Sequence, residues 1–392
     1  MLPLENVKVV SIEQAVAAPL ASRHLADFGA RVIKIERPGT GDFARDYDKT
    51  VRGSSSWFVW LNRSKQSVTL DLKHAEAKGI LGKLLADCDV LLHNLAPGAA
   101  ERLGLAGPAL ISQHPRLIVC EISGYGSSGP YRNKKAYDLL IQNETGLVSL
   151  TGPPESPSKA GISAADIAAG MYAFSGILLA LRMREQTGRG TVLQVSLFDA
   201  LSEWMLPAGY YAAYGGSPPQ RTGAEHASIA PYGPYRCGDG SQVHLAIQNE
   251  REWQRFCTLV LRQPELATDP RFQTNSHRSE NRQALRAAIE DVFRALTREQ
   301  TIARLDAAGI ANAQMNTVQQ FWEHPQHAAR NRWRTVDSAA GPIQALAPPI
   351  ILEGVEPRME PIPALGQHTE GILAELGYTP EQIRELRAAA AI

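Results

Sequence analysis

Strand-like runs rich in Val, Ile and Leu recur along the first third of the chain, at residues 7–12, 31–36, 67–72, 90–94 and 117–122. Runs of that length predict strands buried on both faces. Between most of them, residues 19–28, 75–86 and 98–103 carry apolar positions at helical spacing. Pro19 suits a first helical turn, Gly29 suits that helix's end, and Asp87 and Asp89 punctuate the next turn. Strand and helix in alternation predict an α/β fold whose parallel sheet is covered on both faces. Residues 167–181 form the longest uncharged apolar stretch, interrupted by Gly170, Ser175 and Gly176. That stretch is short for a membrane span and reads as a buried core helix.

A Gly- and Pro-rich segment at 215–235 marks a change of domain. After it, Asp239-Gly240 signals a hairpin turn ahead of a strand at 242–247, and helices are expected near 252–261 and 281–296. Residues 345–356 read as Pro-rich and extended, and 379–390 as a short capped helix.

Composition narrows the function classes. The 392 residues carry 40 Lys+Arg against 40 Asp+Glu, so no global field favours nucleic acid or an anionic membrane surface. Cys88, Cys120, Cys237 and Cys257 form no Cys-x-x-Cys pair, which suggests neither a zinc site nor a disulfide framework and fits a reducing, cytoplasmic setting. Residues 1–10 already hold Glu5 and Lys8 and lack the pattern of a signal peptide.

In an open parallel sheet the ligand sits beyond the carboxyl ends of the strands. The first such loop, Glu13-Gln14-Ala15-Val16-Ala17-Ala18-Pro19, is made of small residues that let a ligand approach the backbone and the next helix's free N–H groups. It lacks the Gly-x-Gly-x-x-Gly dinucleotide fingerprint, so Glu36 is a poor match for a ribose-binding acid. Beyond successive strands follow Arg37, Lys73, Asn94 with Arg102, and Lys134 with Lys135. These cations at one sheet edge suggest a pocket for a phosphorylated ligand.

Asp166 is the acid inside the Ala- and Gly-rich stretch GISAADIAAGMYAFSGILLAL. Ser163-x-x-Asp166 has the form of a capping box, a structural role. The alternative is a carboxylate kept ionised by the helix dipole and aimed at a ligand, hence a nucleophile. The histidines show no metal-ligand spacing, and neither a Gly-x-Ser-x-Gly elbow nor a Walker loop occurs.

The stretches VKVVSIEQAVAAPLASRHLADFGARVIKIERPGTGDFARD, NRSKQSVTLDLK, DVLLHNLAPGAAERLGL, ISGYGSSGPY, AGISAADIAAGMYAFSGILLAL and GQHTEGILAELGYTPEQI resemble the class III CoA-transferase family, formyl-CoA transferase type, from near residue 4 to near residue 386. The resemblance implies a Rossmann-like parallel-sheet large domain built from both chain ends, a small α/β domain between them, and an interlocked homodimer. The expected division is 1–215 and 326–392 for the large domain and 216–325 for the small one. Carried over motif by motif, Val16, Ala17, Arg37, Leu70, Asp71, Leu72, Lys73, Asn94, Leu95, Arg102, Lys134, Lys135, Ala136 and Tyr137 would hold coenzyme A, and Asp166 would be the nucleophile. The resemblance implies acyl-CoA and carboxylic acid substrates, no cofactor beyond coenzyme A as substrate, no metal, and no nucleic-acid or membrane partner.

The same superfamily holds acyl-CoA racemases, which carry His before Asp where this chain has Tyr137-Asp138, and an acid near Gln248. Their two-base proton relay is thus incomplete here, which favours transfer. The family's run of consecutive small-domain glycines is also missing, with TGAEHASIAPYGPY in its neighbourhood. Arg221 and Glu225-His226 there suggest contact with a second carboxylate, hence a C4–C5 dicarboxylate such as succinate, malate, mesaconate or itaconate. A non-catalytic CoA-binding protein with an inert helix-capping Asp166 is the alternative of another class.

Overall fold

The computed structural model describes residues 1–392 except Ser217. It divides into two compact units. The larger comprises residues 1–146, 160–206 and 326–392, and the smaller 147–159 and 207–325. Where the sequence suggests a break at 215/216, the chain divides at 206/207, inside the helix Leu197–Tyr214, and the smaller unit also takes in 147–159.

The larger unit is built on β1 (Lys8–Ile12), β2 (Arg31–Glu36), β3 (Lys65–Thr69), β4 (Val90–His93), β5 (Ile118–Ser123) and β6 (Val192–Ser196). They form one parallel sheet in the order β3-β2-β1-β4-β5-β6. The chain moves outward from β1 through β2 to β3, then crosses to the other side of β1 to lay down β4 to β6. Loops at the ends of β1 and β4 therefore diverge and leave the crevice in which such sheets bind ligands. Val9, Val10, Val32, Leu91, Leu92, Ile118 and Val119 are buried, as strands covered on both faces require. One face is closed by Ile80, Leu81, Leu84 and Leu85, together with Leu373, Ile383 and Leu386 from the far end of the sequence.

The predicted core helix runs longer than its apolar stretch, over Ala164–Thr187. By length and composition it could cross a membrane, with roughly half of its most apolar window buried inside the protein. It packs on the helix Ala17–Asp27 at very close range. A Cβ on Gly170 would lie 2.7 Å from the Ala17 carbonyl oxygen and 3.1 Å from Leu20. Residues Trp333–Val336 and Ile343–Leu346 form an antiparallel ribbon that also belongs to the larger unit.

In the smaller unit, β7 (Tyr232–Arg236), β8 (Gln242–Ala246) and β9 (Ala311–Ala313) form an antiparallel sheet. Gly240 at φ +80° makes the turn that Asp239-Gly240 signals. Trp253, Phe256, Phe272 and Phe293 fill its core. The helix expected near 252–261 is α-helical over Glu250–Arg255 and widens to a π-helix over Phe256–Leu261.

Candidate active site

The crevice at β1 is framed by its own loop. Asn94, just beyond β4, spends its whole side-chain amide on Gln14: the Oδ1 accepts from Gln14 N–H at 2.9 Å and the Nδ2 donates to Gln14 O at 2.8 Å. This clasp ties the β1 and β4 loops together at the topological crossover. Behind it, Glu13, Lys34, Lys65 and Asp42 form a fully buried ionic chain. Burial alone would raise Glu13, but the Lys65 and Lys34 ammoniums outweigh it and hold the carboxyl below its ordinary value. Burial likewise works against Lys34, yet Glu13, Asp42 and Glu36 hold its ammonium above the ordinary lysine value. Lys65, with Lys34 as a like-charged neighbour, is brought down by burial to about 8.

Asp166 stands in the first turn of the helix Ala164–Thr187. The capping box expected from Ser163 is not formed, since Ser163 makes no side-chain cap hydrogen bond. Asp138 caps the helix instead, from the first turn of the helix Asp138–Glu144: its Oδ1 accepts from Ala165 N–H at 2.8 Å and from Asp166 N–H at 3.4 Å. Gln142 steadies Asp138 by donating to its Oδ2 at 2.7 Å. The helix amides thus serve Asp138, and the Asp166 carboxylate accepts no hydrogen bond among the described residues. Burial, reinforced by the Asp138 carboxylate, pushes Asp166 up to about 7. This reverses the expectation that the helix dipole keeps Asp166 ionised. Its neighbour Ile167 packs with Met171 against Val16, Leu20 and Leu61, so Asp166 rises beside the start of the helix Ala17–Asp27. Such a carboxylate, poorly solvated and free of donors, is basic and unencumbered, as a nucleophile must be.

The residues expected to meet coenzyme A all follow the carboxyl ends of β1 to β5, but they differ in what they can offer. Val16, Ala17 and Leu70 are buried, and Leu72 and Leu95 pack against the core, so these positions present backbone rather than side chain. Asp71 accepts from Lys73 N–H at 3.1 Å and shapes its own turn. Arg37, Lys73, Arg102 and Lys135 are exposed and make no ion pair among the described residues. Lys134 is paired with Glu144 and lies 4.4 Å from the Tyr131 ring centre. Ala136 packs so closely on Gly124 that a Cβ there would be 2.3 Å from its methyl, and Tyr137 is exposed.

Of two sequence readings, that Glu36 is a poor match for a ribose ligand holds, and that of Arg221, Glu225 and His226 is corrected. Glu36 is buried, and Arg45, Ser67 and the Asp42 N–H occupy both its oxygens, so it is no ribose ligand. In the smaller unit, Arg221 donates to the carbonyls of Ser149, Pro153 and Pro154, while Glu225 is paired with Arg282 and Arg286 and His226 stacks on Tyr232. Those side chains staple the fold and are spent before any carboxylate arrives. Sequence reasoning missed Asp138, Gln142 and Tyr47. The Tyr47 phenol is pushed up to about 12 by burial and by the carboxylates of Asp42 and Asp166, and so keeps its O–H near Asp166. Asp138 carries a signal, an acid opening a short helix; Tyr47 lies in irregular chain where periodicity says nothing. Among the described residues no cluster of His, Cys, Asp and Glu is fit to hold a metal.

Comparison with known proteins agrees with this geometry. Residues 4–369 match the model of CoA-transferase family III. The succinyl-CoA–D-citramalate CoA-transferase of Chloroflexus aurantiacus is 32% identical, with 98% of this chain and 97% of the relative covered. A succinyl-CoA:glutarate CoA-transferase of Mus musculus is 30% identical over 98% of this chain and 89% of its own length. A CAIB/BAIF family protein from Brucella suis superposes with a TM-score of 0.82 at 35% identity, covering 96% of this chain and 99% of that one. A parallel sheet, a desolvated aspartate beside the β1 loop and a match over nearly the whole chain have one common source: the chain belongs to CoA-transferase family III and is an enzyme of the transferase class.

Proposed function

We propose that this enzyme moves CoA from succinyl-CoA to a C4–C5 dicarboxylate, of the size of malate, mesaconate or itaconate, with Asp166 as the covalent nucleophile. The observation that carries the reading is the Asp166 carboxylate, free of donors in the first turn of its helix and pushed up to about 7. The printed names of relatives acting on citramalate, malate and glutarate support the acceptor class. In the first step an Asp166 oxygen attacks the thioester carbonyl and CoA thiolate departs, leaving a mixed anhydride. The thiolate then attacks the aspartyl carbonyl, which releases the donor acid and leaves an aspartyl-CoA thioester. The acceptor carboxylate attacks that thioester, and the thiolate returns to the acceptor's carbonyl, restoring Asp166. Each step exchanges one activated acyl bond for another, so neither ATP nor a metal is called for, provided water is kept out.

In this reading the free cations Arg37, Lys73, Arg102 and Lys135 take the phosphates, and the amides at Val16 and Ala17 and the Leu70–Lys73 backbone take the rest of CoA. The enzyme acts in the cytoplasm as a homodimer; the exposed Tyr172, Leu178, Leu179 and Met183 on the Asp166 helix offer an apolar face for the second copy. Incubation with succinyl-CoA followed by intact mass measurement tests the chemistry: a CoA adduct on the wild type that disappears in Asp166→Asn supports it. Unimpaired turnover in Asp166→Asn sinks it. Deuterium uptake beside the thioester of a 2-methylacyl-CoA, without transfer to any dicarboxylate, would make the protein a racemase.

A further inference from the structure

The helix Ala17–Asp27 begins without a cap of its own: Val16 stands at the N-cap position, no side chain closes the first turn, and no acid falls within it. What fixes the entry is the preceding residue. Ala15 is held at φ +62°, a left-handed conformation that an alanine adopts only at steric cost. Its N–H donates to Asp42 Oδ1 at 3.1 Å. Asp42 is buried, and the same oxygen accepts from Ala44 N–H at 2.9 Å while Oδ2 accepts from Lys34 Nζ at 2.7 Å. Lys34 donates onward to Glu13 at 3.3 Å. Glu13 accepts from Lys65 at 2.7 Å, and Lys65 donates to the Pro19 carbonyl at 3.0 Å. The ionic chain therefore starts at the amide of Ala15 and ends at the carbonyl of Pro19, on either side of Val16, Ala17 and Ala18. Two carboxylates and two ammoniums are costly to desolvate, and apolar side chains would fill the space as well. What apolar side chains cannot supply is a directed acceptor for the Ala15 N–H.

We propose that Asp42 is a positioning residue for CoA: by holding Ala15 in its left-handed turn it aims the amides at Val16 and Ala17 towards the ligand. This rests on the reading above that the β1 loop binds CoA. Those amides would hold CoA in the ground state and in the transition state alike, so their loss acts on binding more than on the chemical step.

The test compares CoA titration calorimetry and steady-state kinetics for three proteins. Lys34→Met/Asp42→Ala removes the acceptor while leaving Glu13 paired with Lys65, so the core stays neutral. Lys34→Met/Asp42→Asn keeps an oxygen for Ala15, and Lys34→Met/Asp42→Ala/Ala15→Gly lets residue 15 take positive φ freely. The Ala variant is expected to raise Kd and KM about tenfold, the factor of one lost hydrogen bond, with kcat within about twofold. The Asn variant should bind like wild type, and Ala15→Gly should recover most of the lost affinity. A folded Ala variant with wild-type Kd, or a loss that Ala15→Gly leaves untouched, overturns the proposal while leaving CoA transfer standing. Failure of the wild type to bind CoA at all overturns both. If the Ala variant does not fold, Lys34→Met/Asp42→Gln takes its place, since it keeps a polar group but carries its oxygen one methylene past Ala15; raised Kd supports the proposal and unchanged Kd overturns it.

Discussion

Asp166 trades stability for reactivity, and the sign can be followed. Its folded value of about 7 stands above the ordinary 3.8, so the native state holds the proton more tightly than the unfolded chain does. The group therefore favours folding in acid, and that support is lost as pH rises from about 4 through about 7, a swing of roughly 2–4 kcal/mol for a largely buried carboxyl. Asp166→Asn should accordingly raise Tm by several degrees at pH 8 and by much less at pH 5; an equal gain at both values would mean that the carboxyl is not desolvated. The same shift predicts that kcat/KM for succinyl-CoA climbs with pH towards a plateau above about 7. Asp138→Asn, which keeps an oxygen for Ala165 N–H but removes the neighbouring charge, should move that limb down by about one pH unit. An unmoved limb would leave burial as the whole cause. Asp166 itself was legible as the odd acid in an apolar run, but the sign of its shift was not, because burial sets it and Asp138 accepts the very amides that would otherwise offset that burial.

Two glycines decide how elements meet. Gly170 lets the Asp166 helix rest on the Ala17 carbonyl, so Gly170→Val should cost about 1–3 kcal/mol by overpacking and, on the proposed mechanism, lower kcat by displacing Asp166. Gly82→Ala is its control: the site lies within the helix Ala75–Ala86 with open space around it, and the change should be neutral or slightly stabilising in chemical denaturation. Gly124→Ala would drive a methyl into Ala136 and should raise KM for acyl-CoA through the Lys134–Tyr137 stretch, with kcat little altered. Elements were readable where Val, Ile and Leu cluster between turn signals, as in β1, β2, β4 and β5, whereas β3 starts at Lys65, ahead of the run expected from 67, because Lys65 and Gln66 are polar. The strand β6 escaped because it lies at the sheet's edge, half exposed, with Gln194 breaking its pattern. The Asp166 helix outran its apolar stretch because Arg182 and Glu185 continue it at the surface, where polarity does not end a helix, and Arg184 pairs with Asp89.

At the scale of the molecule, each unit has its own core, and calorimetry should resolve two transitions of which saturating CoA raises one, by about 2.7 kcal/mol at a hundredfold excess over Kd. A single transition would show the units to be thermodynamically inseparable. A division into units was legible in the Gly- and Pro-rich segment, but it falls earlier, within a continuous helix, where Pro207 marks the place. The arrangement has a cost during folding. The outer edge of β3 is covered by chain from three hundred residues away: Ser67 N–H donates to His368 Nδ1, His368 N–H to the Ser67 carbonyl, and Thr69 N–H to the Thr369 hydroxyl. Until that distant segment arrives, β3 is a bare edge of the kind that pairs with other chains. The interval in which this protein is open to aggregation is therefore set by one long loop closure, and conditions that hasten it should improve the yield of soluble protein more than any gain in final stability.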